Sequence, residues 1–435
     1  MVLTIKQDDC LGCSECHSRC PKGVIKSSEN TPFWIDPTLC NECPDIEVPP
    51  CQEICYEGVI VPLQAKKGRH KSAHLPGAIP AIFLNGKTHA FASSIVVWEA
   101  CNLLAQRQDL PWHTASDQTI YYQRALNHGR GSLKFRLNVS PEGEAIAPMT
   151  LPEAEAAFKG FDIRATCMHL IFAAYITTLE QPWQDEFELN DQHIEHYLGL
   201  DRRKDLTKLE KLTLIKELVY QTCQLLVTVD WPRQGKISPF SLSEHAVWQL
   251  LHTEYFFEQD SQGYQHLIGL SFRLKAGLWT KYFLNRRDYR RQLAFYQYGT
   301  LPRSVLTEVM SNWQQHEGAI RLLLWLLFKL RLGSDHRVTV RTLLKVAYGE
   351  VRVLEAITVR GGHKRLLKTF EQDFLVVQKS QSENISCRGE AKKPKLRALK
   401  PRKYVEDCLD CLQGRKSLFW EESFISKAFR SFLHH

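Results

Sequence analysis

Apolar positions along this chain recur at two spacings, every three to four residues in some stretches and every second residue in others. The switches between them lay out the elements. Ser93 to Gln106 has helical spacing, whereas Ser132 to Val139 alternates through Leu133, Phe135, Leu137 and Val139 as a strand does. Phe161 to Leu179 is strongly apolar, which predicts a helix ended by Pro182. Asn190 or Asp191 can cap a short helix through Tyr197 that Gly199 stops. Asp205 to Thr222 places Leu206, Leu209, Leu212, Ile215, Leu218 and Val219 at helical intervals. Leu225 to Val229 reads as a strand ended by Pro232, and Phe240 to Leu251 as a helix with Ser241 or Ser243 as its cap. Tyr255 to Glu258 and His266 to Leu274 flank a Ser261-Gln262-Gly263 turn, which predicts a β-hairpin. This order of helices, strand and hairpin predicts a winged-helix unit within a helical domain over residues 151–280.

A second helical group occupies residues 281–378. Gly318 to Leu332 is a helix closed by Gly333, and Thr339 can cap Val340 to Tyr348, which Gly349 ends. Val351 to Thr358 and His363 to Val377 follow, separated by Gly361-Gly362. Helices joined by short glycine-marked turns outline a helix-turn-helix domain. Ahead of these domains, residues 63–150 combine a turn-rich basic connector (Lys66 to Pro80) with an unassigned α/β region. Beyond residue 379, Arg388 to Lys403 holds eight Lys/Arg against Glu390, with Pro394 and Pro401, and reads as a flexible basic tail.

The segment from Met1 to Pro62 follows a different logic, set by cysteine. Cys10, Cys13, Cys16 and Cys20 form a C-x₂-C-x₂-C-x₃-C run closed by Pro21, and Cys40, Cys43, Cys51 and Cys55 form C-x₂-C-x₇-C-x₃-C. The first is the spacing of bacterial two-cluster ferredoxins, in which the fourth cysteine of each run ligates the other cluster. Cluster I would then take Cys10, Cys13, Cys16 and Cys55, and cluster II would take Cys40, Cys43, Cys51 and Cys20. A repeat supports the pairing: Cys20, Gly23, Val24 and Ile25 recur at identical spacing as Cys55, Gly58, Val59 and Ile60, while Ile5 and Cys10 recur as Ile35 and Cys40. Two [4Fe–4S] clusters are the expected cofactors. Zinc wants two C-x₂₋₄-C pairs, and disulfides want an oxidising compartment and usually a small secreted chain; both fit less well. Cys408 and Cys411 form a lone C-x₂-C pair near Cys387, with His434 and His435 as further candidate ligands.

Charge divides the chain at the same place. Residues 1–62 carry four Lys/Arg against ten Asp/Glu, a balance of −6, and the rest of the chain carries 52 against 38, a balance of +14. An acidic head on a basic body points to a polyanionic partner for the body. Candidate DNA contacts are Arg337, Arg341, Lys345, Arg352, Arg360, His363, Lys364, Arg365 and Lys368 in the second group, and Arg202, Arg203 and Lys204 in the first. Basic residues around an inter-helix turn can neutralise phosphates and seat a helix in the major groove. The alternative is a solvated face paired with Asp201, Asp205 and Glu210. Arg286, Arg287, Arg290 and Arg291, with Tyr289, Phe295, Tyr296 and Tyr298, suit a phosphate-tracking surface, or else an amphipathic helix with its aromatics inward. No secretory signal or membrane span is expected, so a cytoplasmic location follows. No dinucleotide fingerprint, Walker A loop, H-E-x-x-H, nucleophile elbow or radical-SAM cysteine run is present, which disfavours a catalytic body.

A C-L-G-C-S-E-C-x₃-C-P ferredoxin module fused to a basic, helix-turn-helix-containing body resembles the PatB/CnfR-type activators of cyanobacterial nitrogenase genes. The fold expected is multidomain α+β, a two-cluster ferredoxin-like module followed by a mostly helical body. The resemblance implies a non-enzymatic transcriptional activator of nitrogen-fixation genes under low oxygen, with the clusters as the oxygen- or redox-sensitive element. Its partners would be duplex DNA and RNA polymerase or another regulator, with a homodimer left open. An electron-transfer subunit of an oxidoreductase is the rival reading.

Overall fold

A computed structural model of the chain describes residues 2–28, 31–41, 43–44, 46–63, 82–84, 86–106, 111–114, 120–126, 129–138, 151–259, 265–329, 340–359 and 362–382. The described residues fall into two units, one drawn from residues 1–81, 188–220 and 250–274, the other from 82–187, 221–249 and 275–435.

In the first unit the repeat becomes two small sheets. Val2–Ile5 pairs antiparallel with Ile60–Leu63, setting Ile5 opposite Ile60, and Ile25–Ser28 pairs antiparallel with Thr31–Ile35, setting Ile25 opposite Ile35. The repeated apolar residues therefore meet one another, and Leu3, Ile5, Val24, Ile25, Ile35, Val59 and Ile60 form a buried core together with Cys16 and Cys51. Two short helices, Glu15–Arg19 and Pro50–Glu53, contact each other across it. The unit also holds Asp191–Leu198, a helix capped as expected: the Asn190 side chain accepts from the His193 N–H at 2.9 Å, and Gly199 ends it at φ 72°. The helix Lys208–Cys223 runs past it, and Lys208 bridges the carboxylates of Asp191 and Glu195. The strand Gln265–Ala276 lies between Trp248–Gln259 and Glu186–Asn190 in a three-stranded sheet.

The second unit is a mixture of helix and sheet. Phe240–Ala246, Leu225–Trp231, Gly131–Leu137, Ile120–Leu126 and Trp112–Thr114 form, in that order, a five-stranded antiparallel sheet. This corrects the helix expected over Phe240 to Leu251. Phe240, Leu242, Ala246, Trp248 and Leu250 keep a period of two, and Leu225–Trp231 offers a ladder partner, with Trp231 opposite Phe240 and Val229 opposite Leu242. Ser241 and Ser243 accordingly sit within a strand and cap nothing. The helix–strand–helix–hairpin order on which the winged-helix expectation rested does not form. The sheet also recruits strands from the unassigned 63–150 region, so the body is α and β together.

Other expectations meet their elements closely. Ile95–Gln106 is a helix, Ala165–Tyr175 is a helix buried along its whole length, and Trp248–Gln259 with Gln265–Ala276 supplies the expected hairpin strands. Towards the C-terminal side lie the helices Arg303–Asn312, Glu317–Lys329, Val340–Tyr348, Glu350–Thr358 and Gly362–Ser382. A single Gly349, at φ 81°, joins two of them. Asp373 is buried among them, accepting from Tyr348 Oη at 2.7 Å and meeting His316 Nδ1 at 2.9 Å. Gly318 makes room for this tie, since a Cβ there would stand 2.3 Å from Asp373 Oδ2. Among the described residues no helix is long and apolar enough to cross a membrane. The 66–80 connector and the 383–435 tail, including Cys387, Cys408, Cys411, His434 and His435, lie outside the described residues.

Candidate metal centre

Each cysteine run is bent by turns that only a few residue types tolerate. Cys10 N donates to Gln7 O at 3.2 Å, the chain turns through Gly12 (φ 68°) and Ser14 (φ 64°), and the helix Glu15–Arg19 then carries Cys16 and ends at Cys20. In the second run Cys40 N donates to Asp36 O at 3.0 Å, Cys43 itself adopts φ 50°, and the helix Pro50–Glu53 carries Cys51 just ahead of Cys55. The exits match: Gly23 N donates to Cys20 O at 3.1 Å and Gly58 N to Cys55 O at 3.0 Å, with both glycines at φ 60°. That left-handed conformation costs an L-residue roughly 1–2 kcal/mol, so glycine at both repeat positions spares the turn that strain.

These turns gather the thiols across the runs. Cys16 lies within electrostatic reach of Cys10, Cys13 and also Cys55 of the other run. Cys51 and Cys43 each feel Cys40 and also Cys20 of the other run. Cys20, Cys40, Cys43 and Cys51 line one cavity of about 340 Å³, a volume that includes its open side, with Pro21, Val24, Ile35 and Pro49 as apolar walls. Burial first, and then repulsion from neighbouring thiolates, pushes the Cys16 and Cys51 thiols up to about 11. Cys43 is raised for the same two reasons. Metal-free thiols of this kind stay protonated near neutrality, and a bound cation reverses that preference by releasing the protons. Among the described residues no three His, Cys, Asp or Glu side chains stand close enough to share a single ion. A cubane instead takes one thiolate at each of four irons, which spreads its donors apart.

The DNA-contact candidates divide. Arg203 is held bidentately by Asp205, through Nε at 2.8 Å and Nη2 at 2.6 Å, while Arg202 and Lys204 are exposed beside it. Arg341, Lys364, Arg365 and Lys368 are exposed on the helices Val340–Tyr348 and Gly362–Ser382, and His363 is half-buried. Lys345 pairs with Glu350, and the Arg352 guanidinium lies 5.5 Å from the centre of the Tyr348 ring. Arg337 and Arg360 fall outside the described residues. Arg286, Arg287, Arg290 and Arg291 are exposed with Tyr289 and Tyr298, while Phe295 packs against Trp231 and Phe283.

One cluster of side chains escaped the sequence reading. Asp36, four positions ahead of Cys40, is buried against Lys216 and Tyr255. A signal existed in the repeat: the equivalent place in the first half, four positions ahead of Cys10, holds the oppositely charged Lys6.

Comparison with known proteins gives matches that include three relatives named "Ferredoxin-like protein in nif region". That from Nostoc sp. (strain PCC 7120) is 46% identical over 57 residues, and those from Trichormus variabilis and Trichormus azollae are 44% identical over 57 residues. The N-terminal part of this chain is ferredoxin-like. Each match covers 13% of this chain and 48% of the relative, so the chain spans about half the length of the curated relatives it matches. No family model and no solved structure matches the chain.

Proposed function

We propose that this protein is an iron–sulfur DNA-binding transcriptional activator of nitrogen-fixation genes, working under low oxygen. The observation that carries the iron–sulfur half is the crosswise gathering of thiols: Cys55 joins Cys10, Cys13 and Cys16, and Cys20 joins Cys40, Cys43 and Cys51. Those two sets would hold two [4Fe–4S] clusters. A bound cubane supplies one-electron chemistry and sensitivity to oxygen. The chain's own contribution is to present four thiolates at each site from turns far apart in sequence, which a bound cluster would tie together, so cluster loss would release the fold around each site. The nitrogen-fixation association is carried over from the name of the relatives.

The DNA-binding half is supported by the helices Val340–Tyr348, Glu350–Thr358 and Gly362–Ser382, the first two joined by the single Gly349, and by the exposed Arg341, Lys364, Arg365 and Lys368 they carry. Such a group suits phosphate contacts that orient a helix on a duplex. A second reading, electron transfer to another protein, is favoured by exposed apolar side chains beside cluster ligands. Tyr56, 91% exposed, follows Cys55, and Leu11, 76% exposed, follows Cys10.

Genome-wide DNA occupancy and transcript levels, with and without oxygen and in a deletion strain, separate the two. An activator gives discrete sites near genes whose expression collapses on deletion, lost in air and in a Cys13→Ser strain. No site-specific occupancy, with a metabolite changing before any transcript, would leave the electron-transfer reading standing instead.

A further inference from the structure

The two halves of the ferredoxin-like segment repeat each other down to backbone contacts. Lys6 N donates to Val59 O at 2.9 Å, and Asp36 N, at the equivalent place in the second half, donates to Val24 O at 2.9 Å. Their side chains break the symmetry. Lys6 is one-third exposed and pairs with Asp9 one turn on. Asp36 is 0% exposed and meets Lys216, itself 3% exposed, with Nζ 2.6 Å from Oδ2.

The surroundings of this pair are complete on both sides. Asp36 Oδ2 also accepts from Tyr255 Oη at 3.0 Å, and Oδ1 accepts from the Thr38 hydroxyl at 2.5 Å and the Thr38 N–H at 3.0 Å. Lys216 Nζ reaches Thr38 Oγ1 at 3.0 Å and lies 5.1 Å from the centre of the Tyr255 ring and 5.3 Å from that of Tyr220. Trp34, two residues before Asp36, packs on Tyr255 and Phe257 with ring centres 4.7 and 5.2 Å apart. Burying two charges is costly, and breaking such a pair strands an ion in the interior. Burial works most strongly against the Asp36 carboxylate, but the Lys216 charge and the hydrogen bonds from Lys216 and Thr38 outweigh it, holding that carboxyl below its usual range.

What the pair controls follows from the backbone. The carbonyl of Asp36 accepts from Leu39 N at 3.2 Å and from Cys40 N at 3.0 Å, so the entry to the second cysteine run hangs on the residue that Lys216 anchors. Lys216 belongs to the helix Lys208–Cys223 and Tyr255 to the strand Trp248–Gln259, both far from the cysteines in sequence.

We propose that Lys216 is a positioning residue for the Cys20, Cys40, Cys43 and Cys51 site. Through Asp36 it links cluster loading there to the order of residues 208–220 and 250–258, whereas at the equivalent place beside the Cys10, Cys13, Cys16 and Cys55 site the described ion pair, Lys6 with Asp9, is partly exposed and local. The proposal rests on the iron–sulfur reading above and supplies a route by which one cluster acts on segments outside the cysteine-bearing part of its unit.

The test uses the full-length protein, prepared without oxygen. Lys216→Met should lower iron from about eight to about four per chain. In that background Cys43→Ser should change nothing further, whereas Cys13→Ser should remove most of the remainder. The Asp36→Asn/Lys216→Met double variant, which strands no charge, should regain iron at the second site. Reciprocally, Cys43→Ser in the otherwise wild-type chain should speed amide hydrogen exchange across residues 208–220 and 250–258 by about tenfold or more, and Cys13→Ser should not. This exchange arm decides the matter even if Lys216→Met fails to fold. Loss of both clusters together in a folded Lys216→Met protein, or exchange that responds equally to both cysteine variants, overturns the proposal. Wild-type protein holding zinc or no iron defeats the iron–sulfur reading and this proposal with it. Two clusters in the wild type and two in Lys216→Met defeat the proposal alone.

Discussion

The salt dependence of the proposed DNA binding offers a quantitative check on the helices towards the C-terminal side, because the structure says which of the candidate cations are exposed and which are paired. Arg341 and Arg365 are exposed, whereas Lys345 is paired with Glu350 and Arg203 is held by two hydrogen bonds to Asp205. Each phosphate contact contributes about 0.9 to the slope of log affinity against log salt. An Arg341→Gln/Arg365→Gln protein should therefore show a slope shallower by about 1.8 if both side chains touch phosphates. Between 50 and 200 mM salt, a fourfold change, the variant should lose roughly 12-fold less affinity than the wild type. Lys345→Gln should move the slope far less, since reaching a phosphate means giving up Glu350, and Arg203→Gln should leave it unchanged. Fluorescence anisotropy with a labelled duplex over a salt series, with circular dichroism to check folding, measures all four proteins. A double variant that keeps the wild-type slope would falsify the assignment of this surface as the DNA reader, and an Arg203→Gln slope loss half that of the double variant would refute the pairing argument.

Three further outcomes are expected. Because Cys13 and Cys55 belong to one site under the crosswise arrangement, a Cys13→Ser/Cys55→Ser protein should keep about four irons, whereas ligation within each run predicts damage to both clusters; iron and acid-labile sulfide analysis distinguishes them. Gly23→Ala and Gly58→Ala should each destabilise by about 1–2 kcal/mol in denaturant titrations, a cost of backbone strain alone. Both sites have φ 60° and open space for a Cβ, so an alanine tolerated at no cost would contradict the left-handed assignment. His169 is wholly buried, accepts from Trp248 Nε1 at 2.8 Å and is pushed down to about 3 by burial. Its unfolded form takes up a proton below about pH 6.5 that the folded form refuses, so stability falls with pH in that window, by about 1 kcal/mol between pH 6.5 and 5.5. His169→Gln should remove that increment, and an unchanged pH dependence would mean that His169 is protonated in the folded protein.

Cysteine spacing and the Cys20–Ile25/Cys55–Ile60 repeat were legible in the chain because a short turn has few solutions. Left-handed glycines at Gly23 and Gly58, short gaps between cysteines and paired isoleucines are local demands, written where they act. Helix boundaries read well where a cap marked them, as at Asn190, Gly199 and Gly349. Phe240 to Leu251 went wrong because its apolar residues satisfy a helical stripe loosely and a strand alternation equally well. Only the ladder partner Leu225–Trp231 selects between them, and pairing between strands is a tertiary event. The same holds for electrostatics. Net charge along the chain separates an acidic head from a basic body, yet it does not say that Arg203 is held by two hydrogen bonds to Asp205. Nor does it say that Asp36 and Lys216, 180 residues apart, meet in the interior. Local sequence determined where metal-binding thiols could turn together. Tertiary packing alone decided which charge would be buried beside them, because the worth of a buried ion depends on partners that no neighbouring residue supplies.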